Sequence, residues 1–143
     1  MMESAKAALP PIEKSYLLPY PLEVVYAAWI SSDTVIAPAT SMEVSPVVGG
    51  HYTLNIDSPD GHWRADGVFD IVEPANHVRY GWQWDGDVDA TQIDVRFSSE
   101  GGGTRVTISH TGFTNPDGRA NHDSGWDSYI TGFIAHLEKP GRH

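Results

Sequence analysis

The chain has 143 residues, enough for one domain with a buried core, and its apolar fraction of 40% is typical of a folded protein. Its 19 acidic residues against nine basic ones give a formal charge of -10, which disfavours nucleic acid and anionic membranes as partners. Because the chain has no cysteine, its sequence excludes disulfides, thiol nucleophiles and cysteine metal sites.

The N-terminal stretch has no apolar run of the length that a signal peptide needs. No segment approaches the roughly 20 apolar residues of a membrane-spanning helix. We therefore expect a cytoplasmic protein. Residues 1–11, which end in Pro10-Pro11, are predicted to be a flexible arm, and residues 12–143 one domain.

The first predicted strand runs from Ile12 to Leu18. Pro21 then opens a short helix, PLEVVYAAW, whose apolar residues recur at helical spacing. Residues 31–33 offer a cap for a second short helix, which ends before Pro38. Two short helices are thus expected after the first strand.

Six further strands are predicted: a weak one over Met42–Val48, then HYTLNID, HWRADGVFDIVE, VRYGWQW, TQIDVRF and TRVTISHTGF. Short Gly-rich and Pro-rich turns separate them, so they should form an antiparallel meander with one apolar face. From Trp126 the apolar residues recur every three or four positions, which predicts a helix that follows the turn TNPDG and ends at Pro140-Gly141. Gly125 or Gly132 should mark its close approach to the sheet.

Period-two alternation assigns the residues of the apolar face. They are Tyr52, Leu54 and Ile56; Trp63, Ala65, Phe69 and Ile71; Tyr80, Trp82 and Trp84; and Ile93, Val95 and Phe97 opposite Val106, Ile108 and His110. The C-terminal helix, about 10 Å across, is the only long element available to cover this face. Seven strands spaced by about 4.8 Å are too wide for it unless the sheet curves. A gap should remain, which Trp63, Trp82 and Trp84 fill or line.

From about Pro21 to Leu137 the chain resembles a known family. The shared stretches are PLEVVYAAW, VVGGHYTL, DGHWRADGVFDIVEPANHVRYGWQW, TRVTISHTGF and HDSGW. They resemble the activators of the heat-shock protein ninety ATPase, in their bacterial single-domain form, within the START-like (SRPBCC) superfamily. The resemblance implies an α+β helix-grip fold, in which a curved antiparallel sheet of six to seven strands wraps around a long C-terminal helix, with a hydrophobic cavity between them. It implies no shared catalytic residue.

This chain departs from the family in one segment. Where family members often carry tryptophans, it reads TVIAPAT, which should change the size or openness of that end of the cavity. The eukaryotic co-chaperones carry a separate N-terminal domain for which this chain has no room, so chaperone binding is not favoured. A homodimer remains open, and no cofactor is expected.

The inner face of the sheet and the long helix supply the candidate ligand-binding residues. They are Tyr52, Trp63, Tyr80, Trp82, Trp84, Ile108, His110, Trp126, Tyr129, Ile130 and Phe133. His110 is read either as a polar handle for a ligand or as a structural histidine bonded to a backbone carbonyl or to Tyr80. His122 should lie at the cavity mouth.

Neither metal pattern in the sequence is sufficient. His110 and His122 lack a third ligand, so no metal site is predicted. The stretch DGDVDA, from Asp85 to Ala90, begins like a calcium loop but has Ala90 at the glycine position and Arg96 at the final acidic position, so it is read as an acidic turn.

Three functions remain open from the sequence. The first is binding of a small apolar or aromatic ligand in the cavity. The second is an enzyme of cyclase, hydratase or hydrolase type that uses His110 with Tyr80 or Tyr52, although no catalytic residue is assigned. The third is a protein-interaction or chaperone-regulating module, which would need an exposed apolar patch on the outer face.

Overall fold

A seven-stranded antiparallel sheet curves around a long helix in the computed structural model, which describes residues 8–138. The elements are β1 (Ile12–Leu18), α1 (Leu22–Trp29), β2 (Ser41–Val44), β3 (His51–Ser58), β4 (Gly61–Glu73), β5 (His77–Trp84), β6 (Thr91–Glu100), β7 (Gly103–Thr111) and α2 (Pro116–Glu138). The predicted helix-grip architecture is confirmed. Residues 1–7 of the predicted arm and the predicted stop at Pro140-Gly141 lie outside the described residues.

The strand order is β1-β7-β6-β5-β4-β3-β2, so the six later strands form the predicted meander and β1 joins its far end beside β7. The residues predicted to share the inner face of β6 and β7 do so, with Ile93 opposite His110 and Val95 opposite Ile108. These residues are all buried. His110 is therefore carried into the apolar interior by the register of the strand on which it lies.

One predicted face is wrong at its end, because β4 contains a bulge. The register shifts between Phe69 and Ile71, so that Ile71 lies opposite Arg79 and Val72 opposite the buried Val78. Val72 packs against the core in place of Ile71. A bulge adds one residue to one strand, which a period-two pattern does not reveal.

The second predicted short helix is wrong, because residues 31–38 form turns instead. Thr34 donates its hydroxyl to the Ala28 carbonyl at 2.7 Å, which ties the segment back onto α1. Three consecutive β-branched residues, Thr34 to Ile36, have low helix propensity, and the residue before Pro38 is restricted to extended conformations.

The long helix begins at Pro116, inside the stretch TNPDG that was predicted to be the turn before it. Pro116 has the fixed φ that suits a first helical position, and the Asn115 side chain accepts from the N–H groups of Asp117 and Gly118 at 2.9 and 3.3 Å. The predicted turn TNPDG is therefore the cap and first turn of α2. This early start places His122 on the helix, near the cavity.

The first half of α2 is tied to β1 and to the residues before it. Lys14 forms an ion pair with Asp123 at 2.5 Å, and the Tyr16 hydroxyl donates to Asp127 at 2.7 Å. Arg119 donates to the carbonyls of Pro10 and Pro11 at 2.7 and 3.0 Å. These contacts fix the polar part of α2 against the sheet, where few apolar residues could do so.

The concave face is covered by α1 as well as α2, whereas the sequence pointed to the C-terminal helix alone. Trp29 of α1 is buried at their junction. Its ring lies 5.9 Å from that of Phe97 on β6, 6.1 Å from that of Trp126 and 5.3 Å from that of Phe133, between centroids. The two helices and the sheet thus share one aromatic core.

The two glycines of α2 have different surroundings. A Cβ added to Gly132 would lie 2.5 Å from Cγ2 of Ile36, whereas one added to Gly125 would meet nothing within 4 Å. The predicted close approach is therefore at Gly132, but its partner is the segment after α1 and not the sheet.

We expect Gly132→Leu to lower the free energy of unfolding by about 1–3 kcal/mol, because the side chain overpacks against Ile36. Gly125→Ala should raise it by about 0.5–1 kcal/mol, because alanine has the higher helix propensity and there is room for its methyl group. Urea denaturation of both variants measures the two effects. A neutral Gly132→Leu would show that the approach to Ile36 is not tight.

Candidate ligand cavity

A cavity of about 510 Å³ lies between the concave face of the sheet and the first half of α2. This volume is within the range of small-molecule sites, about 300–1,000 Å³. Its wall is mainly aromatic and apolar. The aromatic members are Trp29, Tyr52, Tyr80, Trp82, Trp84, Trp126 and Tyr129, and the aliphatic ones are Ile36, Leu54, Ile56 and Ile93.

Seven of the eleven predicted site residues line this cavity, namely Tyr52, Tyr80, Trp82, Trp84, His110, Trp126 and Tyr129. The structure does not place the other four on its wall. Ile108, Ile130 and Phe133 are buried in the core away from it, and Trp63 is 48% exposed. Alternation in β4 predicts the face of the sheet on which Trp63 lies. It does not predict that Trp63 lies next to the β3–β4 hairpin, outside the cavity wall.

The mouth of the cavity lies between α2 and the segment that carries the family departure. Its exposed residues are Ala37, Pro38, Asn121, Gly125 and Ser128. On the helix, His122, Gly125, Trp126 and Tyr129 recur at helical spacing toward the cavity. The four-residue spacing predicts His122 and Trp126 on one helix face, and the family resemblance predicts the TVIAPAT segment, with Ala37 and Pro38, at one end of the cavity.

His110 is fully buried and both of its ring nitrogens are bonded. The indole N–H of Trp126 donates to Nδ1 at 3.1 Å, so the proton of the neutral ring is on Nε2. That N–H donates to Oγ1 of Thr91 at 2.8 Å, and the Thr91 hydroxyl donates to the Trp82 carbonyl at 2.6 Å. Each donor in this relay is used once.

The relay decides between the two readings of His110. Because both nitrogens are hydrogen-bonded, the prediction that His110 offers a free polar group to a ligand is wrong. The alternative of a structural histidine holds, but its partners are Thr91 and Trp126, and not the predicted backbone carbonyl or Tyr80. Burial, with a smaller contribution from His122, lowers the pKa of His110 to about 3. The imidazole is therefore neutral at physiological pH and joins α2 to the sheet.

Three tyrosines form a second polar group on the wall. Tyr52, Tyr80 and Tyr129 all lie on this wall, and the Trp29 indole donates to the Tyr80 oxygen at 3.2 Å. The rings of Tyr52 and Tyr80 stack with centroids 4.3 Å apart. Burial raises the pKa values of Tyr80 and Tyr129 well above their ordinary range, so these phenols stay protonated.

His122 and two indoles form the third polar group. Nδ1 of His122 lies 2.8 Å from the Gly118 carbonyl, which places the proton of the neutral ring on Nδ1. Nε2 then accepts from the indole N–H groups of Trp82 and Trp84, at 3.2 and 3.1 Å. The two indole rings meet edge to face with their centroids 5.7 Å apart. One imidazole nitrogen thus serves two donors.

Neither histidine of the cavity presents a free lone pair, since Nδ1 of His110 and Nε2 of His122 both face indole N–H groups. Over residues 8–138 no cluster of three or more His, Cys, Asp or Glu side chains could hold a metal ion. Within the same range no helix is long and apolar enough to cross a membrane.

Asp89, in the turn that begins like a calcium loop, has a role that sequence reasoning missed. Its side chain is 7% exposed. Oδ2 accepts from the N–H groups of Thr114 and Asn115 at 2.8 and 3.1 Å, and Oδ1 accepts from the Thr114 hydroxyl at 2.6 Å. The carboxylate therefore holds the residues that enter α2, and with them the helix that forms one cavity wall.

Comparison with known proteins gives a family and a fold. The model of the family described as Activator of Hsp90 ATPase homolog 1-like protein matches residues 19–138. A search of curated proteins found no match.

Three solved structures illustrate the fold. A protein from Chromobacterium violaceum is 18% identical, with a TM-score of 0.79 over 90% of this chain and 97% of that one. An AHSA1-like protein from Aeromonas hydrophila is 24% identical, with a TM-score of 0.70 over 92% and 99%. DynU16, from the dynemicin biosynthetic locus, is 20% identical, with a TM-score of 0.76 over 94% and 50%. At these identities the likeness concerns the fold alone.

Proposed function

The chain belongs to the Activator of Hsp90 ATPase homolog 1-like family, and from that premise we propose that it binds a small apolar or aromatic molecule in the cavity between sheet and α2. The observation that carries the proposal is a 510 Å³ space whose wall is built from seven aromatic side chains. Contact between such a wall and a flat apolar ligand is favourable, because it removes apolar surface of both from water.

The enzyme alternative loses its proposed acid–base pair. His110 bonds Thr91 and Trp126, whereas Tyr80 accepts from Trp29, so the histidine and Tyr80 are held by different partners. With a pKa lowered to about 3, His110 is also poorly matched to proton transfer at neutral pH. Ligand binding needs neither group to react.

A neutral apolar dye, N-phenylnaphthylamine, tests the proposal because its emission rises in a dry site. We expect saturable binding to the wild type. Gly125→Phe should weaken it about tenfold, or about 1.4 kcal/mol, because the ring occupies the open space at the mouth. At ten times its dissociation constant the dye should stabilise the fold by about 1.4 kcal/mol.

Ala135→Phe is the matched control, since Ala135 is an exposed position of α2 outside the cavity wall. It should bind the dye as the wild type does. Equal dissociation constants for all three proteins would mean that the dye binds elsewhere. No binding of this dye or of a panel of apolar compounds would remove the proposal.

A further inference from the structure

Two indole N–H groups inside the cavity share one imidazole nitrogen as their acceptor, and this imbalance bears on the chemistry of the ligand. The inference rests on the proposed function, because it concerns what the same cavity binds. Polar side chains in an apolar site fix the orientation and chemical type of a ligand more than they add affinity.

The indole pair provides the first surplus donor. An imidazole nitrogen has one lone pair, in the plane of the ring. Two N–H groups, from Trp82 and Trp84, share the lone pair of His122 Nε2 at 3.2 and 3.1 Å. A shared acceptor satisfies each donor only in part, so one indole N–H can turn to another acceptor without leaving His122 unbonded.

Tyr80 brings a further donor to the wall. Its oxygen accepts from the Trp29 indole N–H at 3.2 Å, so the Tyr80 hydroxyl still has its own hydrogen to donate. Tyr80 lines the cavity together with Tyr52 and Tyr129.

Acceptors are placed differently. The His110 relay uses each of its donors and acceptors once, so it offers a ligand nothing. Asp87, Asn121 and Ser128 also bring acceptors to the wall, and of these Asn121 and Ser128 are exposed at the mouth. Of the described residues, no lysine or arginine lines the cavity. An anionic ligand would therefore find donors but no opposite charge, and it would lie near the Asp87 carboxylate.

We infer that the ligand is a neutral aromatic molecule with a carbonyl oxygen, and that this oxygen accepts a hydrogen bond from the indole N–H of Trp82 or Trp84. A carbonyl oxygen has lone pairs and no proton, so it can accept from the indole N–H that His122 does not need. The Tyr80 O–H suits a second oxygen on the same molecule. The aromatic rings of the ligand occupy the apolar part of the cavity.

Three ligands of nearly equal shape separate the possibilities: fluorene, which has no polar atom, fluorenone, which has a carbonyl, and fluorenecarboxylate, which is an anion. Their dissociation constants are measured by displacement of N-phenylnaphthylamine. We expect fluorenone to bind about three- to tenfold more tightly than fluorene, the effect of one net hydrogen bond. The carboxylate should bind at least about tenfold more weakly than fluorenone.

Trp84→Phe tests the donor itself, with Trp63→Phe as the matched control outside the cavity. Removing the Trp84 N–H leaves Trp82 as the single donor to His122 Nε2. The preference for fluorenone over fluorene should then fall to less than half of its wild-type value, while Trp63→Phe keeps it. Trp82→Phe should act like Trp84→Phe, and it replaces that variant if the latter does not fold.

The outcomes distinguish this inference from the proposed function. If fluorene and fluorenone bind equally well, or if Trp84→Phe and Trp82→Phe leave the preference unchanged, the carbonyl inference is wrong and the cavity still binds apolar ligands. If the carboxylate binds most tightly, the ligand is an anion and the inference is also wrong. If none of the three binds, the proposed function fails and the inference fails with it.

Discussion

Replacing Asp89 by alanine is expected to lower the free energy of unfolding by about 3–5 kcal/mol. The carboxylate is 7% exposed and accepts three hydrogen bonds from Thr114 and Asn115, at 2.6 to 3.1 Å. Alanine removes both acceptor oxygens, and with them all three hydrogen bonds, and leaves the donors at the entrance of α2 without this partner. It also removes a negative charge near the N-terminus of that helix, where the helix dipole favours one.

Urea denaturation measures the effect, and two further variants define its cause. Asp89→Asn keeps one acceptor oxygen and should lose about half as much stability as Asp89→Ala. Asp85→Ala changes an exposed carboxylate of the same turn and should be within about 0.5 kcal/mol of the wild type. A loss below about 1 kcal/mol for Asp89→Ala would mean that this anchor does not hold α2.

His110 should make the protein less stable in mild acid. Burial lowers its pKa from 6.5 to about 3 in the folded protein, so the unfolded chain binds the proton first as the pH falls. The contribution of neutral His110 to the free energy of unfolding is complete above pH 6.5 and is lost progressively from there toward pH 3. Between about pH 7.5 and about pH 4.5 this single group should cost about 2.5 kcal/mol.

Denaturation curves across this range should be compared between the wild type and His110→Gln. A glutamine amide can accept from Trp126 and donate to Thr91, but it does not titrate. The variant should therefore start from a lower stability and lose about 2.5 kcal/mol less on acidification. Parallel pH profiles for the two proteins would show that the imidazole is not held neutral in the fold.

Much of the fold follows from local patterns that the sequence displays. Alternation placed Tyr80, Trp82 and Trp84 on the concave face, and it placed Ile93 and His110 on the same face of two neighbouring strands. Helical spacing placed Trp126 and Tyr129 on the inner side of α2. These patterns work because burial of one face constrains every second residue of a strand and every third or fourth of a helix.

The errors arise where side-chain hydrogen bonds or irregular backbone replace that constraint. The first turns of α2 are polar. Asn115 caps them locally, and Asp89 and Arg119 tie the start of the helix to segments distant in the sequence. The bulge at Phe69 reassigns the inner position from Ile71 to Val72.

Hydrogen-bond partners were the least predictable part of the site. His110 could be assigned to the interior, but its bonds to Thr91 and Trp126 depend on tertiary geometry. The shared acceptor at His122 likewise needs two residues of β5 and one of α2 to meet.

The indole N–H signals of a proton–nitrogen correlation spectrum test the central claim most directly, because the chain has five tryptophans in two environments. Trp29, Trp82, Trp84 and Trp126 line the cavity, whereas Trp63 is 48% exposed outside it. On titration with N-phenylnaphthylamine, the signals of Trp82 and Trp84 should move most, with that of Trp126, and that of Trp63 should stay in place. Movement of the Trp63 signal while those of Trp82 and Trp84 stay fixed would contradict a ligand cavity between the sheet and α2.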